Sequence, residues 1–127
     1  MYTVSVKGVL LTPDRKVVLL FNERKEWELP GGQIEPGESS AECLAREIRE
    51  ELNINVQVEH LIDTYLFEVI PKRHVFIATY LCSVVWTFAP RLSHEHKRIG
   101  LFLPEELPMN LPTGYRSSIA FALQSNH

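Results

Sequence analysis

Three glutamates, Glu47, Glu50 and Glu51, stand close together beside Arg46, a short way after the glycine pair Gly31-Gly32. Like charges spaced three or four residues apart repel across a helical turn, so the cluster is stabilised when a cation sits among its members. A hard divalent ion suits such donors: Mg²⁺ takes one or two carboxylates and keeps its other positions for water and phosphate oxygens. Arg46, four residues before Glu50 and next to Glu47, can hold a carboxylate in place through its planar fork. A mixed run of Arg and Glu is by itself an ordinary solvated helix face. The turn upstream, whose carbonyls are accessible, turns that face into an open site for a cation and a phosphate.

The elements that must position these groups are legible nearby. Gly31-Gly32 and Pro36-Gly37 are turn punctuation that a helix interior does not tolerate cheaply. Ser39-Ser-Ala-Glu42 reads as a capping box, which predicts a helix over Ser40 to Leu52 with Ser39 as its N-cap. Ala41, Leu44, Ala45, Ile48 and Leu52 share the face expected to pack on the core. The three glutamates fall inside an arc of roughly 100° beside that face. Asn53 follows directly, and Asn readily takes the left-handed conformation that ends a helix.

This turn and helix resemble the Nudix box, G-x5-E-x7-R-E-U-x-E-E-x-G-U with U aliphatic. Gly32, Glu38, Arg46, Glu47, Ile48, Glu50, Glu51 and Ile54 match at every spacing, and Asn53 stands where the family has Gly. Trp27-Glu-Leu-Pro30-Gly31 is similar to the family's usual lead-in. The resemblance implies an α/β fold, the Nudix α/β/α sandwich with a mixed β-sheet between helices, formed as a single domain over residues 1–127. It implies a Mg²⁺-dependent pyrophosphohydrolase, with Mn²⁺ able to stand in, acting on a nucleoside diphosphate linked to another moiety such as a further phosphate or the ribose of ADP-ribose. A nucleotide-sensing Nudix domain without turnover is the alternative, and degenerate box glutamates, absent here, would favour it.

By the same resemblance Glu47, Glu50 and Glu51 supply metal ligands, with the Gly31 carbonyl as a further one. Arg46, Glu47 and Glu50 form the expected catalytic set, Arg46 orienting Glu47, and Gly32 and Glu38 support it. The base for the attacking water is either a box glutamate or Glu95 on the Ser93-His94-Glu95-His96 loop, where relatives often place an extra carboxylate. Trp27, Arg24 and Arg73 are the expected substrate contacts outside the box. Trp27, Phe67, Phe76 and Tyr80 offer rings for stacking on a base, although strand aromatics also serve as core.

The 127 residues are 45% hydrophobic with a formal net charge of −3. No block of like charge suggests a nucleic-acid polymer or a membrane as partner, and no apolar run approaches spanning length. Cys43 and Cys82 lack metal-like spacing and read as free, partly buried thiols. The N-terminus opens on a strand pattern without a charged n-region or cleavable apolar stretch, so a cytoplasmic domain is expected. A homodimer is compatible with all of this. Tyr2–Leu11 and Val17–Phe21 are expected to pair as a hairpin across the Thr12–Lys16 turn. Long strands are expected before and after Pro71-Lys-Arg73, the second over His74–Phe88, then a short strand over Ile99–Leu103. A last helix follows Pro112-Thr-Gly114, with Tyr115, Ile119, Ala122 and Leu123 inward. Strands on both sides of a central helix suggest a sheet covered on both faces.

Overall fold

The computed structural model describes residues 2–84 and 98–125. Its strands are β1 (Thr3–Leu10), β2 (Val17–Phe21), β3 (Trp27–Glu28), β4 (Gly31–Gln33), β5 (Val56–Ile70), β6 (Arg73–Val84) and β7 (Arg98–Phe102), with helices α1 (Ser40–Leu52) and α2 (Thr113–Ser125). A four-stranded sheet runs β4-β1-β6-β5 and a three-stranded sheet runs β3-β2-β7. The first is mixed, because β1 and β6 are parallel while β1–β4 and β5–β6 are antiparallel. The result is the expected α/β architecture, a mixed sheet flanked by two helices.

Period-two alternation along the strands builds two cores. Val6 and Leu10 of β1, Val18 and Leu20 of β2, and Ala78 and Cys82 of β6 pack with Leu44, Ile48 and Leu52 of α1. The opposite faces of the same strands, through Val9, Val17, Leu19 and Leu81, pack with Tyr115, Ile119 and Ala122 of α2. Each central strand therefore buries both faces, and this explains why β1 and β2 read as nearly continuous apolar runs.

The α1 boundaries follow the local code. Ser39 accepts from the Glu42 amide at 3.1 Å, and Glu42 accepts from the Ser39 amide at 2.8 Å, a closed capping box. Such a cap is worth about 1 kcal/mol. Asn53 ends the helix in the left-handed region, at φ 58° and ψ 37°.

Three expectations need correction. The proposed hairpin between the first two strands does not form as a ladder: β1 lies between β4 and β6, β2 lies between β3 and β7, and the pairing at the turn stops at the isolated antiparallel bridge Leu11↔Val17. A turn brings two strands together, but the partner is chosen by burial, and here both strands have two faces to bury. Ala41 is exposed, and the buried face of α1 is Cys43, Leu44, Ile48, Glu51 and Leu52. The helix is rolled toward β4, which takes Glu51 inward. Gly114 lies within α2, which starts at Thr113. The predicted strand over His74–Phe88 is β6 as far as Val84, and its remaining residues lie outside those described. Both thiols are buried, and burial pushes Cys43 up to about 11 and Cys82 to about 12.

Candidate active site

The open side of the four-stranded sheet forms a cleft of about 840 Å³. Its floor is the face of β1, β5 and β6 that α2 leaves uncovered, including Ser5, Lys7, Phe67, Val75 and Ile77. One wall is β4 with Glu47 and Glu51 of α1 behind it, and the rim carries Arg24 and Arg73.

The wall depends on its two glycines. Gly31 has φ 146°, and a Cβ there would collide with the Val6 carbonyl oxygen of the neighbouring strand. This close approach leaves the Gly31 amide aimed at α1, where it donates to Glu51 Oε1 at 2.9 Å in a buried setting. Glu51 is only 4% exposed, so that bond offsets part of the cost of burying a carboxylate. A Cβ on Gly32 would lie 2.8 Å from Glu47 Oε1 and closer still to Oε2. The Glu47 carboxylate thus rests directly on the bare backbone of Gly32.

Arg46 organises the other side of the cluster. Its Nε and Nη2 donate to the two oxygens of Glu38 at 2.6 and 3.0 Å, a fork-to-fork pairing. Its Nη1 donates to Glu47 Oε1 at 2.9 Å and to Glu50 Oε1 at 3.0 Å. Hydrogen bonding to Glu38, then the hydrogen bond and charge of Glu47, raise the guanidinium above its ordinary range against the effect of burial. The reciprocal effect is that the bond from Arg46, chiefly, holds Glu38 down at about 2, helped by the Glu35 amide donating to Glu38 Oε1 at 3.0 Å.

A pH dependence of stability follows from this depressed value. The folded-state carboxyl lies below its ordinary 4.5, so its contribution is fully present above that value and is lost as pH falls toward 2. Thermal melts of the protein and of Glu38→Gln between pH 5 and 2 are expected to converge as the pH drops. Parallel melting curves over that window would contradict the pairing.

The three glutamates do not point one way. Glu47 and Glu51 line the cleft, whereas Glu50, with its side chain 49% exposed, sits off the cleft against Arg46. Among the described residues no group of three or more His, Cys, Asp or Glu side chains converges as a metal cage. The three carboxylates are drawn apart: Glu51 accepts from the Gly31 amide, while Glu47 and Glu50 share Arg46, Glu50 from the solvent side. The cleft still presents hard oxygen donors, two carboxylates beside the glycine turn, and Mg²⁺ asks no more of a protein when phosphate and water complete its shell.

Of the expected substrate contacts, Arg24 and Arg73 line the cleft and Trp27 does not. Trp27 is 7% exposed in the α2-side core, with the rings of Phe21 and Phe102 edge-on to it at 5.1 and 4.9 Å. Phe67 lines the cleft, while Phe76 lies exposed on a different surface. Arg24 is carried on a built loop, since Asn22 Oδ1 accepts from the amides of Arg24 and Glu26 at 3.0 and 3.1 Å. Glu95, with His94 and His96, lies outside the described residues.

Sequence reading missed Lys7, Glu28 and Tyr115. Lys7 is 6% exposed, pairs with Glu28 at 3.1 Å, and stands 5.8 Å from the centre of the Tyr115 ring. Burial opposes its charge, yet Tyr115, Glu28 and Glu51 together carry its pKa above the ordinary lysine value. Burial raises the Tyr115 phenol, so at neutral pH that ring is uncharged and the two carboxylates do the holding. The available signal was a lone Lys in an apolar strand, a residue type almost never buried without a partner.

The NUDIX domain family model matches residues 1–121. A "MutT-like protein" from Streptomyces ambofaciens is 36% identical over 124 residues, 97% of this chain and 78% of its own length. A "Putative 8-oxo-dGTP diphosphatase" from Bacillus subtilis is 37% identical over 68 residues, 51% of this chain, and that match spans 44% of the Bacillus protein. The crystal structure of a MutT protein from Methanosarcina mazei Go1 superposes with a TM-score of 0.85 at 25% identity, covering 98% of this chain and 95% of the other.

Proposed function

The chain belongs to the Nudix family, and from that premise we propose that it is a Mg²⁺-dependent pyrophosphohydrolase acting on a nucleoside diphosphate that carries a further group. The observation that carries this reading is the seating of Glu47 and Glu51 on Gly32 and Gly31 at the cleft wall. Glu51 held by the Gly31 amide, and Glu47 held by Arg46 in the space a bare Gly32 leaves, are pre-organised to receive a cation and its phosphate.

In this proposal Glu47, Glu51 and the Gly31 carbonyl would hold the ion, with Glu50 close by on the same helix. When bound, the ion would neutralise charge on the phosphoryl oxygens. The chain's own residues do the rest. Arg46 holds Glu47 in its orientation through the bond to Oε1, and Glu38 in turn fixes Arg46. Arg24 and Arg73 on the rim attract the anionic substrate and steer its phosphates toward the wall. Hydrolysis adds water across the P–O–P linkage: a new P–O bond forms, the bridging P–O bond breaks, and one proton of the water passes to a carboxylate. A box glutamate or Glu95 is the acceptor. The leaving phosphoryl oxygen departs as an anion, and the proton returns to solvent.

The deciding experiment is a panel of nucleoside triphosphates, nucleoside diphosphates and ADP-ribose, incubated with the protein and Mg²⁺ while released monophosphate is followed. Turnover of at least one member, abolished by a chelator and restored by Mg²⁺ or Mn²⁺, is expected. Tight binding of a nucleotide without turnover of any member would replace the enzyme with a sensor.

A further inference from the structure

Resting on the reading of this cleft as a metal and nucleotide site, we infer that Lys7 is a built-in countercharge for the cleft carboxylates, which holds divalent-ion affinity down while no substrate is bound. The starting point is where the charges lie. Glu28, Glu47 and Glu51 all line the cleft. Arg46 answers Glu47, donating through Nη1 at 2.9 Å. The lining cations Arg24, Lys72 and Arg73 are exposed on the rim, where water and salt screen them. Lys7 lines the same cleft but is 6% exposed, so its charge is screened far less.

The backbone brings this ammonium to the wall. Lys7 stands opposite Gly31 in the β1–β4 ladder, and the Gly31 amide donates to Glu51 at 2.9 Å. Glu28 meets the same lysine from a strand of the other sheet, at 3.1 Å. Burial disfavours the ammonium, yet the fields of Tyr115, Glu28 and Glu51 outweigh that cost and keep it charged. One positive charge thus serves two carboxylates, on either side of the glycine turn. A buried ion pair is weak evidence for stability, because apolar residues of the same size commonly serve as well. This one faces the place where the ion would sit, and its effect is to be sought there.

Two consequences follow from that position. With the ammonium in place, Glu51 stays ionised and seated on the Gly31 amide when no metal is present. A bare divalent ion approaching Glu47 and Glu51 meets the repulsion of Lys7 along with the attraction of the carboxylates. One fixed charge inside a protein changes the affinity for a neighbouring ion by about tenfold or more. Phosphate oxygens feel the opposite force, since the lysine attracts them. An ion that carries its phosphates is therefore admitted where a bare ion is resisted, and the cleft fills with ion and substrate together. Mg²⁺ suits this arrangement, because it is commonly held by one or two carboxylates plus substrate phosphates.

The test titrates Mn²⁺ into the parent protein, Lys7→Met and Lys7→Arg in the absence of nucleotide, following the free-ion signal by electron paramagnetic resonance. Lys7→Met keeps an unbranched chain of similar length and removes the charge, and it is expected to bind Mn²⁺ about tenfold to a hundredfold more tightly. Lys7→Arg keeps the charge and is expected to bind Mn²⁺ much as the parent does. A lysine with a structural role alone predicts unchanged or weaker binding in Lys7→Met, and either result in the folded variant would overturn the inference. Equal tightening in Lys7→Arg would overturn it too, since charge would then not be the cause. Where Lys7→Met is unfolded without metal, recovery of the fold on adding Mn²⁺ supports the countercharge role, because the ion replaces the missing ammonium; failure to recover overturns it. The parent protein separates this inference from the reading beneath it. No Mn²⁺ bound by parent or variants would remove the metal site itself, whereas equal binding by the parent and Lys7→Met would remove only the part played by the lysine.

Discussion

Glu51→Gln is expected to lose turnover by a factor on the order of 10²–10⁴, with the fold intact. Glu51 is buried at the cleft wall and accepts from the Gly31 amide. The glutamine oxygen keeps that bond, so the local backbone has no reason to move. What disappears is the negative charge facing the cleft, and with it one of two carboxylates that would bind the cation. The loss should fall on kcat and on Mg²⁺ dependence together. A Mn²⁺ titration followed by electron paramagnetic resonance gives a readout that does not depend on turnover, and weaker Mn²⁺ binding is expected there. A variant with near-normal kcat and unchanged Mn²⁺ affinity would remove Glu51 from the site.

Gly32→Ala should cost activity by about a hundredfold while leaving the melting temperature nearly unchanged. The added methyl would occupy the position of the Glu47 carboxylate. That carboxylate is the end of a flexible side chain, so it swings away at small energetic cost. In doing so it leaves the place where Arg46 holds it, and a displacement of about 1 Å at a reacting centre can cost 10²-fold in rate. Gly31→Ala is the contrasting case. There the methyl meets the Val6 carbonyl of β1, a backbone atom that cannot step aside, at a φ that L-residues rarely adopt. Circular dichroism melts of the two variants should therefore separate: Gly31→Ala unfolds early, Gly32→Ala melts with the parent protein and turns over slowly. If Gly32→Ala retained full activity, the carboxylate at that wall would have no part in the reaction.

The residues that make α1 were readable in the chain because their interactions are local. Ser39 and Glu42 close the capping box within four residues, Asn53 supplies the left-handed stop, and Glu50 lies one turn from Arg46. Family membership rested on the same stretch, since the spacing from Gly32 to Ile54 is a property of one turn and one helix. Burial patterns were readable less completely. Helical spacing alone puts Ala41 on the buried face of α1, whereas Ala41 is exposed and Glu51 buried, because the roll of the helix is set by contact with β4.

Everything settled by long-range contact belonged to the tertiary structure. Two apolar strands joined by a turn give no sign of whether they pair with each other. β1 and β2 take other partners because each has two faces to bury, and two helices on opposite sides supply the cover. Trp27 resembles a stacking platform in sequence, yet it is packed edge-on by Phe21 of the neighbouring strand β2 and Phe102 of β7 beyond it. The Lys7–Glu28 pair joins positions 21 residues apart across two strands, so no helical or strand period could reveal it. Local spacing determined that this chain has a carboxylate helix behind a glycine turn; only packing decided that Glu47 and Glu51 face the cleft and Glu50 does not. Hydrogen bonds within a few residues are written into the chain, whereas the direction of a side chain near a helix edge is fixed by whichever distant surface the helix is pressed against.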